Sequence, residues 1–194
     1  MHSADAPGAP IDYPLPLVGF AAFSGTGKTT LLLKLLPLLK ASGLRIAVVK
    51  HAHHSFDMDY PGKDSYRLRV AGADEMLVAA RCRIGWIREC RDERPEPSLR
   101  EALEILDPSR LDLVLVEGFK AEAFPKIELH RPALGKPLLF PEDRNIIAIA
   151  TDGGRLAQDP GDLPQLSLDR PDEIAAYLLA FIGRGQGLRS DLAC

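Results

Sequence analysis

Residues 22–30 read AFSGTGKTT and lie between the apolar run LVGFAAF (Leu17–Phe23) and a Leu-rich stretch that opens at Lys28. A loop that cradles phosphate needs small residues so that its backbone can wrap the anion. It also needs N–H groups at a helix N-terminus, a Lys for the outer phosphates and a Ser or Thr hydroxyl for Mg²⁺. Gly25, Gly27, Lys28 and Thr29 supply these parts in order. The strict pattern asks for glycine where this chain has Ala22, the least disruptive replacement provided φ stays negative there. A Gly-rich turn that merely opens a helix is the competing reading. The order strand, loop, helix favours a nucleotide site.

Working outward, the helix should run from Lys28 to Ala41 and stop at Ser42-Gly43, with a kink at Pro37. Leu44–Lys50, Leu111–Val116 and Asn145–Ala150 read as strands buried on both faces. Glu75–Ala80 reads as another strand, with Arg83–Glu89 as an antiparallel extension of the sheet. Lys126–His130 forms an intervening strand, His130 being an edge residue without a role, and Arg131–Pro141 is a loop. Short helices are expected from Asp64 or Ser65 to Ala71 and, behind a Ser98/Glu101 capping box, to Leu106. A last helix should span Pro171–Ile182. This alternation predicts an α/β, P-loop NTPase-like, doubly wound fold with a mostly parallel sheet flanked by helices. The expected organisation is a disordered leader over 1–16, one nucleotide-binding domain over 17–183 and a flexible tail over 184–194.

Composition narrows the classes. The 194 residues carry 24 Lys plus Arg against 27 Asp plus Glu, a net charge of −3, which argues against bulk attraction to nucleic acid or anionic membrane. Cys82, Cys90 and Cys194 are an odd number without C-x-x-C spacing, so they read as incidental thiols in a reducing compartment. The leader MHSADAPGAPIDYPLP has four prolines and no Lys or Arg, unlike a secretory signal. The Leu-rich run is interrupted by Lys34 and Pro37 and is too short to span a bilayer. A cytoplasmic protein is expected.

Magnesium at a P-loop needs an acidic partner on a neighbouring strand. LDLVLVEG delivers Glu117 to the carboxyl edge of its strand, where open α/β sheets bind ligands. Glu117 would hold Mg²⁺ or orient water; a solvent-exposed strand end is the bland alternative. Asp112, at the start of that strand, reads as structural. The segment KHAHHSFDMDYPGKDSYRLR (50–69) admits three readings. His51, His53, His54 and the aspartates could ligate a metal, although they lack the i, i+4 geometry of helical zinc sites. Lys50, Lys63 and the helix start at Asp64–Ser65 could capture an anion or partner, the preferred reading, or the loop is simply solvated. Between Arg45 and Arg69, five Lys/Arg face three Asp, suggesting a basic mouth near the loop. Asp152 follows a strand where a carboxylate could accept two N–H bonds from guanine, or could merely form the turn before Gly153-Gly154.

FSGTGKTTL (Phe23–Leu31), KHAHHSFDMDYPGKDSYRLRVAGA (Lys50–Ala73), VEGFK (Val116–Lys120) and PKIEL (Pro125–Leu129) together resemble the molybdopterin-guanine dinucleotide biosynthesis protein B (MobB) family. The likeness runs from Leu17 to Ile182. It implies a homodimeric GTP-binding adaptor with at most weak GTPase activity. Such an adaptor assists a MobA-like guanylyltransferase in attaching GMP to the molybdopterin cofactor. By the motifs, Gly25, Thr26, Gly27, Lys28, Thr29 and Thr30 would hold the phosphates, and Thr29 with Glu117 the Mg²⁺. Lys28 and Glu117 would serve any hydrolysis. The PGKDS block (Pro61–Ser65) would lie by the nucleotide or the delivered cofactor, and Lys50, His51, His53, Asp57, Gly62, Lys63, Asp64 and Ser65 make up the candidate anion or partner loop.

The alternative class is an ATP-using small-molecule kinase, with Asp57 or Asp59 as base and Arg67 or Arg69 clamping phosphate. Its Arg-rich lid is poorly represented by Arg131, Lys136 and Arg144. Partitioning-type ATPases need an extra Lys where Phe23 stands, which excludes them.

Overall fold

The structure, a computed structural model, describes residues 10–52, 56–90, 96–153 and 156–190. The chain divides into two compact units, Met1–His51 with Ser98–Cys194, and Ala52–Pro97.

In the larger unit, β1 (Leu17–Ala21) is buried along its whole length, as its unbroken apolar run requires. Around it stand β2 (Ile46–Lys50), β5 (Leu113–Glu117), β6 (Lys126–His130), β7 (Ile146–Thr151) and β8 (Gln165–Ser167), in the order β2-β5-β1-β6-β7-β8. Every pairing in this sheet is parallel. Helix α1 (Lys28–Ala41) and α4 (Pro171–Ser190) cover one face: Leu31, Leu35 and Leu39 meet Ile174 and Leu178 over Val18, Phe20 and Leu115. Helix α3 (Leu99–Glu104) covers the other, with Leu99 and Leu103 against Val114, Val116 and Phe124. Each fully buried Leu of these clusters contributes about 1.5–3 kcal/mol. The helices therefore lie on both faces, as a doubly wound sheet demands.

The Ser98 capping box forms: its hydroxyl accepts from Glu101 N–H while the Glu101 carboxylate accepts from Ser98 N–H. Asp112 is structural, as read, because its carboxylate takes the Arg45 guanidinium at 2.7 and 3.0 Å and the Arg45 N–H at 2.7 Å. These bonds pull its carboxyl down to about 2.

The structure departs from the sequence reading at five places, four of them in the larger unit. Residues 10–16 of the expected disordered leader pack on the core. Ile11 N–H donates to Ala123 O, and Ile11, Tyr13 and Leu15 lie against the α3 cluster. Three apolar side chains within five residues give this segment enough surface to bury against the core. The last helix continues to Ser190 instead of fraying after Ile182, since its glycines weaken a helix by about 1 kcal/mol each without breaking it. His130 is buried in a central strand, not at an edge. Strand β8 is three residues long and carries no readable period, so only the structure reveals it.

The smaller unit holds α2 (Asp64–Val70) and a hairpin of β3 (Glu75–Ala80) with β4 (Arg83–Arg88), in antiparallel register from Glu75↔Arg88 to Ala80↔Arg83. The hairpin is a sheet of its own and does not extend the parallel one. Arg69 is buried here and bonds Asp57 at 2.8 Å and Glu89. Cys82 and Cys90 are exposed free thiols, and Cys194 lies outside the described residues.

Candidate functional site

The P-loop joins β1 to α1 at the carboxyl edge of the sheet. Gly25 and Gly27 take φ +82° and +99°, a region that side chains with a Cβ avoid. Nothing crowds a Cβ at Gly25, so the demand there is conformational. Ala22 is not among the residues with positive φ and packs into the core, so alanine is accommodated. Thr26 is buried, its hydroxyl donating to Phe23 O at 2.9 Å and closing the turn. The α1 helix starts with the Leu31 N–H to Gly27 O bond. The N–H groups of Lys28, Thr29 and Thr30 thus lie in the first turn, where no carbonyl one turn earlier can take them and an anion is favoured.

Lys28 Nζ bends back over the loop to Ala22 O at 3.1 Å and Phe23 O at 3.4 Å. Burial pushes its ammonium below the usual lysine value; Glu117 opposes that shift, and Lys120 and Lys50 add to it. An ammonium so held is poised to gain from a phosphate. Thr29 Oγ1 donates to Glu117 Oε1 at 3.1 Å, so the two residues read as magnesium partners meet across 88 positions of chain. A hydroxyl and a carboxylate are the hard oxygen donors Mg²⁺ takes. Lys50 Nζ approaches the other carboxylate oxygen at 3.3 Å.

Behind Glu117 the chain turns sharply. Gly118 has φ +99° and Phe119 φ +49°, the one non-glycine residue with positive φ among the described residues. Phe119 stacks on the His51 ring at 4.5 Å between centroids, and His51 N–H donates to Glu117 O at 2.8 Å. His51 therefore braces the turn. Asp152 gives its carboxylate to Arg131 Nη1 at 2.5 Å, and Arg131 Nε donates to Thr26 O at 2.9 Å. Gly118 and Phe119 enter the sequence reading only inside the VEGFK motif and Arg131 only as a weak lid residue, none of them with the contacts seen here. The available signal was position: Gly118 and Arg131 each follow a buried strand directly at the P-loop edge.

The proposed anion loop is split between the units. Lys50 and His51 belong to the larger one, and Asp57, Gly62, Lys63, Asp64 and Ser65 to the smaller; His53 and His54 lie outside the described residues. Among the described residues no group of three His, Cys, Asp or Glu could hold a metal. Asp57 is held below the usual carboxylate range by the Asp59 N–H and by Arg69. Asp59 accepts from Ser65 at 3.1 Å, Lys63 sits 5.7 Å from the Tyr60 ring centroid, and Asp64 pairs with Arg67 at 3.5 Å. The base and clamp of the kinase reading are engaged within the smaller unit: Arg69 pairs with Asp57 at 2.8 Å and lies 3.8 Å from Asp59, and Arg67 pairs with Asp64. No described helix is long and apolar enough to cross a membrane.

A family model described as MobB, molybdopterin guanine dinucleotide synthesis protein B, matches residues 17–152. The molybdopterin-guanine dinucleotide biosynthesis adapter protein of Escherichia coli (strain K12) is 50% identical over 139 residues, covering 71% of this chain and 79% of that protein. The Haemophilus influenzae protein of the same name is 46% identical over 140 residues, covering 71% and 75%. The crystal structure of a MobB protein homolog from Bacillus stearothermophilus superimposes with a TM-score of 0.62 at 26% identity, covering 87% of this chain and 98% of that one.

Proposed function

The chain belongs to the MobB family, and from that premise we propose that its P-loop binds Mg·GTP in the service of molybdopterin-guanine dinucleotide biosynthesis, where it acts as an adapter protein. The observation that carries the nucleotide part is the Thr29–Glu117 contact beside the Lys28 ammonium. Bound Mg²⁺ would supply a charge that neutralises phosphate oxygens. Lys28 and the first-turn N–H groups hold the phosphates, Thr29 and Glu117 hold the metal's side, and Lys50 steadies the Glu117 carboxylate.

GTP in place of ATP is proposed from the family, as are a guanylyltransferase and a molybdopterin among the partners, a homodimer and a cytoplasmic setting. Hydrolysis is expected to be slow, since among the described residues of the P-loop and of the strand ends beside it, Glu117, Arg131 and Asp152, there is no Gln to orient a water. Calorimetric titration of Mg·GTP and Mg·ATP, followed by assay of γ-phosphate release, tests the reading. GTP should bind in preference, and Lys28→Ala should abolish binding while the circular dichroism stays unchanged. Stoichiometric transfer of phosphate from ATP to a small acceptor would overturn the adapter reading in favour of a kinase.

A further inference from the structure

Arg131 stands immediately after β6 and has the same loop in its grip from outside. Its Nε donates to Thr26 O at 2.9 Å, while Nη1 bonds Asp152 Oδ2 at the end of β7. Nη2 would lie 3.8 Å from a Cβ built on Gly27, so the guanidinium spans the Thr26–Gly27 peptide. That peptide is trans, and in a planar trans peptide the carbonyl and the following N–H point to opposite sides. Fixing the Thr26 carbonyl on the Arg131 side therefore turns the Gly27 N–H to the other side. A glycine at φ +99° has no side-chain barrier to hold this orientation by itself.

We propose that Arg131 is a positioning residue for the phosphate cradle: it locks the Thr26–Gly27 peptide with its N–H toward the phosphates, and Asp152 serves first to aim Arg131. This rests on the nucleotide reading above and changes the role of Asp152 from base reader to anchor. The planar fork of arginine suits the task, since one guanidinium meets a carbonyl and a carboxylate at once. Because the lock acts on phosphates, it is blind to the base.

The test is titration of Mg·GTP and Mg·ATP into the full chain and into Arg131→Ala, Arg131→Lys, Asp152→Ala and the Arg131→Ala/Asp152→Ala pair, each checked for folding by melting. Arg131→Ala and Asp152→Ala should each weaken both nucleotides by the same factor, ~10-fold or more. The pair should be no weaker than Arg131→Ala alone, because both changes remove one device. Arg131→Lys keeps the charge without the fork and should still lose ~5-fold; it also covers the case in which the alanine variant does not fold. Millimolar guanidinium ion should restore part of the binding to Arg131→Ala. The proposal is overturned by Arg131 variants that bind within about twofold of the parent, or by an Asp152→Ala loss confined to GTP and additive with Arg131→Ala. A parent chain that binds neither nucleotide overturns the reading beneath it as well, whereas binding lost in Lys28→Ala but kept in Arg131→Ala overturns the Arg131 role alone.

Discussion

Gly118 meets two demands at one position. Its φ of +99° penalises any residue with a Cβ, and a Cβ built there falls 2.5 Å from the His51 Cβ, closer than side-chain atoms approach. Conformational strain of about 1–2 kcal/mol and the displacement of His51 add up, so Gly118→Ala should lower the melting temperature by several degrees. Because His51 stacks on Phe119 and braces the Glu117 carbonyl, the same change should weaken Mg·GTP binding. Thermal melting and calorimetry on one preparation check both, and an unaltered melt would show that the turn relaxes freely. Lys28, Thr29 and Glu117 were legible in the sequence because their spacing follows from the chemistry of phosphate and magnesium. Gly118 and Arg131 were not, since what they do depends on contacts with residues far away in the chain, His51 and Thr26.

Strand β6 shows how an element can be legible while its environment is not. KIELH alternates charged or polar with apolar residues, the pattern of a half-exposed strand, yet all five residues are buried. The connection after it folds over the polar side and satisfies it. Lys126 bonds Asp143 at 2.6 Å, and Glu128 accepts the N–H groups of Leu139 and Phe140 at 2.7 and 2.8 Å. The absence of a side chain at Gly19 leaves room for the Phe124 ring and the Lys126 stem. Burial pushes the Glu128 carboxyl above its usual value; the two N–H bonds and His130 oppose this, and Asp143 adds to it. A carboxyl raised on folding contributes stability that is full below the unfolded value, about 4.3, and is lost as pH rises through the folded value. The stability of the parent chain relative to Glu128→Gln should therefore fall as pH climbs from about 4 toward neutrality. Chemical denaturation across that range measures the difference; a constant difference would mean that Glu128 titrates alike in both states.

At the scale of the molecule, the net charge of −3 suggests little, and the local surplus near the P-loop suggested a basic mouth. Geometry revises that picture, because a count of charges is not a count of charges on offer. Arg45 is engaged by Asp112, Lys50 by Glu117, Arg67 by Asp64 and Arg69 by Asp57 and Glu89. What the P-loop edge offers an anion is Lys28, Lys120 at 6.0 Å from the Phe23 ring centroid, and oriented N–H groups. The unit formed by Ala52–Pro97 was not legible as a separate body, since its strands carry ordinary strand signals and nothing in their spacing says which sheet they join. Its small apolar complement makes the buried Arg69 a main tie between the segment before α2 and the end of β4, and removal would leave Asp57 and Glu89 facing each other without the cation. Arg69→Met should accelerate amide hydrogen exchange across Asp64–Arg88 while leaving the six-stranded sheet protected. Since Asp57 is held below its usual range, the same loosening should appear in the parent chain as pH falls below the ordinary aspartate value and through the folded one. Exchange in Arg69→Met equal to that of the parent at neutral pH would show that the hairpin is held by its strand pairing alone.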